Sequence, residues 1–193
     1  VSTPAHSQNW EEKVELTLSS ILRSSVAPSS IRITYPDSTP LQEAFANRWM
    51  TENIEFLSQS ETELKNPALG LTQSLTHEFI HWLESGDEVD VDFYQECIRN
   101  LQIHSGTDVV CGTATPAMTE KAERIPFTRD AFTNSTGYRI TCLIDNPVTF
   151  SRAVFRTQSL KSKLHAMETS SVTGKHQIAI ALTDLEWGLV QSA

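Results

Sequence analysis

Apolar residues recur at helical spacing in two segments of the chain. In the first, Asn9 can cap a helix with Glu12 at the capping-box position, and Pro28 ends the segment. In the second, Asp92 is the candidate cap, with Gln95 three residues later. The apolar positions are Trp10, Val14, Leu18, Ile21 and Leu22 in the first segment, and Phe93, Cys97, Ile98 and Leu101 in the second. Each pattern predicts an amphipathic helix.

Runs rich in β-branched and aromatic residues predict the strands. They cover residues 31–35, 53–57, 109–115, 138–144 and 177–182, with 148–155 as a further candidate. Residues 40–50 form a short helix or a loop, and the polar stretch 58–70 connects two strands. The expected fold is α+β, with a mostly antiparallel sheet, an N-terminal helix and one helix packed across the sheet. Residues 1–145 are the predicted core domain, and 146–193 a β-rich C-terminal extension or interaction arm.

The segment 71–84 fits two conformations, and Gly86-Asp87 breaks it. Its apolar residues are spaced by four, which satisfies one face of a helix and equally one face of a strand. On a helix, His77 and His81 lie about 5–6 Å apart. On a strand, the same two residues are about 13 Å apart, too far to hold one metal ion.

The same segment reads His77-Glu78-Phe79-Ile80-His81, the HExxH pattern, and over about ten residues it resembles the zincin metallopeptidases. The resemblance implies that His77 and His81 bind zinc and that Glu78 is the general base. Asp87 or Glu96 then completes the ligand set. The metzincin pattern has glycine where this chain has Glu84, and neither third ligand matches its family cleanly.

The element order from residue 8 to 145 resembles the tail terminator, or tail completion, proteins of long-tailed bacteriophages. In that comparison the helix over 10–22 precedes the strand 31–35. Residues 53–57 and 72–83 form a hairpin, and the helix over 92–101 packs on the sheet. The resemblance implies a non-enzymatic virion protein without a cofactor, assembled in the host cytoplasm. Its subunits form a hexameric ring that joins the tail tube to neck proteins, and DNA passes through without specific binding.

Charge agrees with a ring whose lumen is acidic. The formal net charge is −9, which argues against nucleic acid as the main partner. Between residues 52 and 96, eleven acidic residues face Lys65 as the single basic residue; between 121 and 163, eight basic residues stand against three acidic ones. An acidic face and a basic face suit head-to-tail packing, although two solvated faces explain the pattern as well.

Three cysteines without CxxC spacing predict a reducing compartment, with neither a disulfide framework nor a cysteine zinc site. No apolar run approaches the roughly 18 residues of a membrane span. The preferred interpretation is therefore a ring-forming structural protein of a phage tail or neck, with no catalytic, metal or cofactor residue. The alternative is a cytoplasmic zinc metallopeptidase that uses the HExxH residues. A third possibility is a small α+β interaction domain of the cytosol.

Overall fold

The computed structural model describes residues 9–51, 53–60, 76–113, 153–168 and 185–191. Within these ranges the helices are α1 (Trp10–Leu22), α2 (Glu43–Trp49), α3 (Phe93–Ile103) and α4 (Thr157–Glu168). The strands are β1 (Ile31–Pro36), β2 (Ile54–Gln59), β3 (Phe79–His81), β4 (Val109–Thr113), β5 (Ala153–Arg156) and β6 (Trp187–Gln191). The predicted α+β class is confirmed. The strands predicted over 138–144 and 177–182 lie outside the described residues.

The strands form a two-stranded sheet, β1-β2, and a four-stranded sheet in the order β3-β5-β4-β6. β1 and β2 are parallel, with Ile31 opposite Ile54, and α2 is the crossover between them. In the larger sheet β5 is antiparallel to both β3 and β4, whereas β4 and β6 are parallel. It follows that β3, β4 and β6 run in one direction and end at the same edge of this sheet.

The hairpin predicted from residues 53–57 and 72–83 is wrong. β2 pairs with β1, and β3 pairs with β5, with Ile80 opposite Phe155. Apolar spacing identifies an extended segment but does not choose its partner, which depends on the crossover connections and on burial. The topological comparison with tail terminator proteins depended on that hairpin.

α1 begins and ends as its apolar pattern predicts. Val14, Leu18 and Ile21 are buried, and the backbone N–H of Arg23 closes the last turn on the carbonyl of Ser19. Asn9 does not cap the helix through its side chain; its backbone is left-handed, with φ 67°. The buried face of α1 places it against one continuous core.

Aromatic rings join the start of α1 to the smaller sheet. Trp10 stacks on Tyr35 at the end of β1, with ring centroids 6.4 Å apart. Trp10 also meets the edge of Phe45 in α2 at 5.6 Å, and Phe45 meets Phe56 of β2 at 6.0 Å. Edge-to-face aromatic pairs of this kind add to the stabilisation from burial. The carboxyl end of β1 is thereby fixed beside the first turn of α1.

The core of the larger sheet includes residues that the sequence prediction assigned to a C-terminal extension. Ala153, Val154 and Phe155 of β5 are buried in succession, as expected for a strand covered on both faces. α3 packs on β4, β5 and β6, and α4 packs on β5. Residues 153–156 and 187–191 thus belong to the same sheet as β3 and β4. The predicted boundary at 145/146 lies outside the described residues and stays a prediction. Among the described helices, none is both long and apolar enough to cross a bilayer.

Candidate functional site

The HExxH residues do not form a helix. Phe79, Ile80 and His81 are the strand β3, and each extended residue advances about 3.3 Å along the chain. The His77 imidazole lies 3.4 Å from the Ser29 hydroxyl, measured from Nδ1 to Oγ. The His81 Nδ1 lies 3.0 Å from the Tyr94 hydroxyl. The two rings therefore have different neighbours, and the helical alternative for this segment is wrong.

The other residues of the predicted zinc site are also dispersed. Glu78 is exposed and pairs with Arg156 at 3.7 Å, on the strand's amino end. Asp87 lies beyond the carboxyl end of β3, and Glu96 is exposed on α3. Across the described ranges, no three His, Cys, Asp or Glu side chains come together in a way that could hold a metal ion.

A different group of residues lies directly after β3, at the edge where β3, β4 and β6 end. In open sheets of parallel strands, ligands bind outside the carboxyl ends of the strands. Residues 84–89, which we call the carboxyl-end loop, occupy this edge. The Glu84 N–H donates to Asp87 Oδ2 at 2.8 Å, and the Asp87 N–H donates to the Glu84 carbonyl at 3.1 Å. These two bonds close a tight turn, in which Gly86 has φ +99°.

The carboxyl-end loop is attached to α1 through its backbone. The Gly86 N–H donates to Thr17 Oγ1 at 2.9 Å and to the Lys13 carbonyl at 3.2 Å. The Val89 N–H donates to Ser20 Oγ at 3.1 Å. Trp10, which stacks on Tyr35, lies one turn before Lys13, so the loop and the carboxyl end of β1 lie beside the same helix.

The carboxyl-end loop presents acidic groups. Glu84 and Glu88 are exposed and Asp87 is half-buried, while Lys13 supplies one basic side chain beside Gly86. The Ser85 hydroxyl is buried and makes no hydrogen bond with any residue that the structure describes. An acidic loop of this kind repels a free phosphate but can bind one through a divalent cation, for which carboxylate oxygens are ligands.

At the opposite edge, where β3 and β4 begin, Asp108 and Arg156 are bonded to neighbouring groups of the protein. Asp108 accepts hydrogen bonds from the Ser159 hydroxyl and, at 3.1 Å, from the Glu186 N–H. Arg156 donates to the carbonyls of Leu101 and Thr107, the latter at 2.8 Å. We call these residues the amino-end hub. Its groups join α3, β4, β5 and α4, and their arrangement is structural.

Two titratable groups of α3 lie in the core between these edges. Burial, with smaller contributions from Cys111 and Glu96, raises the pKa of the Cys97 thiol to about 12. Burial and, to a smaller extent, Cys97 raise the pKa of Tyr94. A thiol that stays protonated is a poor nucleophile, so Cys97 is a core residue and not a catalytic one.

No protein-family profile matches the sequence, and no curated protein is similar to it. Solved structures do share its fold. The fragment 1–349 of TarS from S. aureus has a TM-score of 0.59 at 12% identity, covering 98% of this chain and 56% of the fragment. The same fragment in complex with UDP-GlcNAc has a TM-score of 0.60 at 12% identity, with 100% and 58% covered. The 4-diphosphocytidyl-2C-methyl-D-erythritol synthase of Anaerococcus prevotii has a TM-score of 0.57 at 14% identity, with 98% and 84% covered.

At these identities the likeness establishes the fold of the chain, which spans little more than half of the TarS fragment. The neighbours are enzymes of the nucleotide-sugar transferase and nucleotidyltransferase kind. The predictions of a phage tail terminator and of a zincin peptidase are therefore wrong. The fold does not support the predicted virion localisation. The predicted ring and its tail and neck partners stay a prediction that no similarity to a known family supports.

The sequence prediction interpreted Gly86-Asp87 as a break after residues 71–84 and Asp87 as a possible zinc ligand, but it did not identify 84–89 as a site. It also left out Thr17 and Ser20, although both interrupt the apolar stripe of α1. Both are buried, at 0% and 1% exposure, and a buried hydroxyl requires a hydrogen-bond partner. Polar residues on the core-facing side of an amphipathic helix were the signal that could have located the loop's attachment.

Proposed function

We propose that this chain is the nucleotide-binding part of a glycosyltransferase that takes its sugar from a pyrimidine nucleoside diphosphate. The observation that carries the proposal is the carboxyl-end loop, a closed acidic turn at the edge of the sheet where this architecture binds ligands. The fold likeness to TarS, whose structures contain UDP and UDP-GlcNAc, supports the choice of nucleotide.

The acidic character of the loop calls for a divalent cation between protein and diphosphate. Magnesium uses one or two protein carboxylates and completes its coordination with water and substrate phosphates. Glu84 has an exposed carboxylate, and Asp87 has a second oxygen besides the one that accepts from the Glu84 N–H. These donors fit such an ion, which would neutralise charge on the diphosphate.

The role of the protein in this reaction is to orient the diphosphate. The bond between the sugar's anomeric carbon and the diphosphate oxygen breaks, and the nucleoside diphosphate leaves with the electron pair. The anomeric carbon forms a new bond to the acceptor, which loses a proton. Glu84 would hold a divalent cation that binds the leaving diphosphate at the loop, and the turn closed by Asp87 keeps the Glu84 backbone in one position. Preorganised groups of this kind lower the barrier because they need no rearrangement during the reaction.

Calorimetric titration with UDP and magnesium tests the proposal directly. We expect the wild-type chain to bind UDP only when the cation is present. Glu84→Gln should weaken binding by about tenfold or more, since one charged interaction is worth about 1.5–3 kcal/mol. The matched control is Glu96→Gln, the same change on the exposed face of α3, which should leave the affinity unchanged. No binding by the wild type, or equal binding by the Glu84 variant, contradicts the proposal.

A second candidate is nucleotidyl transfer, favoured by the larger share of the neighbour that is covered: 84% of the erythritol synthase against 56% of the TarS fragment. In that reaction the α-phosphate of a nucleoside triphosphate is attacked and pyrophosphate leaves. Titration with CTP beside UDP separates the two. Tighter binding of CTP than of UDP, with pyrophosphate release in the presence of a phosphorylated alcohol, would favour the second candidate.

A further inference from the structure

We infer that Thr17 and Ser20 of α1 are positioning residues of the proposed nucleotide site. The inference rests on the proposed function for the identity of the ligand. The two hydroxyls accept hydrogen bonds from the Gly86 and Val89 N–H groups, 69 residues away in sequence, and so hold the carboxyl-end loop in place. Neither residue contacts the proposed ligand; each acts through the backbone of the loop.

The first support is the burial of the two hydroxyls. Thr17 is fully buried and Ser20 is 1% exposed, in a helix whose other core residues are Val14, Leu18 and Ile21. A hydroxyl on this face costs stability unless it is bonded. The Ser20 hydroxyl donates to the Thr17 carbonyl at 2.8 Å, which leaves its oxygen oriented to accept from Val89. Both hydroxyl oxygens therefore accept a hydrogen bond from the loop, in addition to the bond that Ser20 donates within the helix.

The second support is the order of the contacts along α1. Gly86 binds at Lys13 and Thr17, Val89 binds at Ser20, and the Val91 carbonyl accepts from the Ser25 N–H at 2.7 Å. Residues 86–91 therefore run along the helix from its first turns to its end. A segment fixed at three successive points has little freedom, so Glu84 and Asp87 are held at one end of a rigid strip.

The third support is the geometry of the turn that these bonds stabilise. Gly86 has φ +99°, a conformation that glycine adopts without strain and that residues with a side chain rarely adopt. Its N–H is the group shared between the Thr17 hydroxyl and the Lys13 carbonyl. Without the hydroxyl, the Lys13 carbonyl remains as an acceptor, so the chain can fold while the turn loses one of its two constraints.

The experiment compares two chemically identical substitutions. Thr17→Val removes a buried hydroxyl that is bonded to the loop. Thr157→Val removes a hydroxyl that is equally buried, at 5% exposure, but that makes no hydrogen bond with any described residue. Amide hydrogen exchange at Gly86 and Val89 reports the loop without any ligand, and titration with UDP and magnesium reports the site.

We expect Thr17→Val to speed exchange at Gly86 by about tenfold and to weaken UDP binding by a similar factor, the size of one buried hydrogen bond. Thr17→Ser restores the hydroxyl and should return both values close to those of the wild type. Thr157→Val should change neither. If Thr17→Val does not fold, Ser20→Ala carries the same test through Val89.

The outcomes separate this inference from the proposed function. Faster exchange with unchanged UDP affinity means that the hydroxyls serve the fold alone, and unchanged exchange means that they do not hold the loop; either result overturns the inference. A wild-type chain that binds no UDP overturns the proposed function, and with it the positioning role, whatever the exchange data show. Recovery by Thr17→Ser in both measurements supports the inference.

Discussion

Each edge of the larger sheet carries an acidic residue, but one carboxylate is bonded within the protein and the other is exposed to solvent. At the amino-end hub, Asp108 is half-buried and its two carboxylate oxygens accept from Ser159 and from the Glu186 backbone. At the carboxyl-end loop, Glu84 is exposed, and its described hydrogen bonds come from its backbone. Where a carboxylate is fully bonded to the protein it stabilises the fold, and where its backbone is fixed but its oxygens face solvent it is available to a ligand.

A loop with a fixed backbone can still present acidic side chains that are available to a ligand. The carboxyl-end loop is attached to α1 by backbone N–H groups and its turn is closed by the Asp87 side chain, so the Glu84 carboxylate is not needed to keep its shape. The amino-end hub is held by side chains, so each of them is needed. Substitutions should therefore affect stability at the hub and binding at the loop.

Among single substitutions, the largest expected effect is at the hub. Asp108→Ala leaves the Ser159 hydroxyl and the Glu186 N–H without their acceptor, and hydrogen bonds to a charged group are worth about 1.5–3 kcal/mol each. We expect the free energy of unfolding to fall by about 3 kcal/mol in urea titrations. Asp108→Asn, which keeps one acceptor oxygen, should lose less. A loss below about 1 kcal/mol for the alanine variant would remove the contrast between the two edges.

The next effect comes from α3, which packs on β4, β5 and β6 between the two edges. The Cys97 thiol has an ordinary pKa of 9.0, which folding raises to about 12. Its contribution is fully present below pH 9; between pH 9 and pH 12 the unfolded chain loses a proton that the folded chain keeps, so stability falls. The expected slope is about 1.4 kcal/mol per pH unit. Urea titrations at increasing pH measure it, and Cys97→Ala should reduce the slope.

A smaller effect is expected from the backbone of the loop. Gly86→Ala places a side chain at φ +99°, where the added carbon lies 3.7 Å from the Lys13 side chain, an ordinary contact. The cost is therefore conformational, about 1 kcal/mol of unfolding free energy. Gly106→Ala is the matched control, since that glycine has no neighbour within 4 Å. Equal stability of the two variants would show that the turn is relaxed in solution.

The smallest expected effect on stability is at Glu84. Because the side chain is exposed and the backbone makes the bonds, Glu84→Gln should change the free energy of unfolding by less than about 0.5 kcal/mol. The same variant is expected to lose nucleotide binding. A large loss of stability here would mean that the two edges do not differ in the way described.

The helices were predictable because their patterns are long. α1 is found over the residues that its apolar stripe marks, and α3 extends the predicted helix by two residues, to Ile103. The strand from Ile31 was found because Ile31 and Ile33 alternate with polar residues on a sheet with one buried face. Local periodicity is strong wherever one face of an element is buried.

The pairing of strands and the site were not predictable in the same way. The spacing of Phe79 and Leu83 fits a helix and a strand, and the order of His77, Glu78 and His81 suggested, as the alternative interpretation, a metal site whose residues the strand separates. Nothing local indicates that β5 lies between β3 and β4, since that contact joins residues more than seventy positions apart. The loop at 84–89 depends on Thr17 and Ser20, a relation between distant segments that one sequence does not display.

The way the loop is fastened has a consequence for how this protein can change. Every amino acid except proline supplies a main-chain N–H, so the donor at position 89 survives most replacements of Val89. The left-handed conformation falls on Gly86, the Asp87 side chain closes the turn, and the acceptors that attach the loop lie on α1. Residues 85 and 88 can therefore be substituted, in evolution or in a library of variants, while the backbone conformation of the loop stays the same. Altered ligand preference is then accessible without rebuilding the domain.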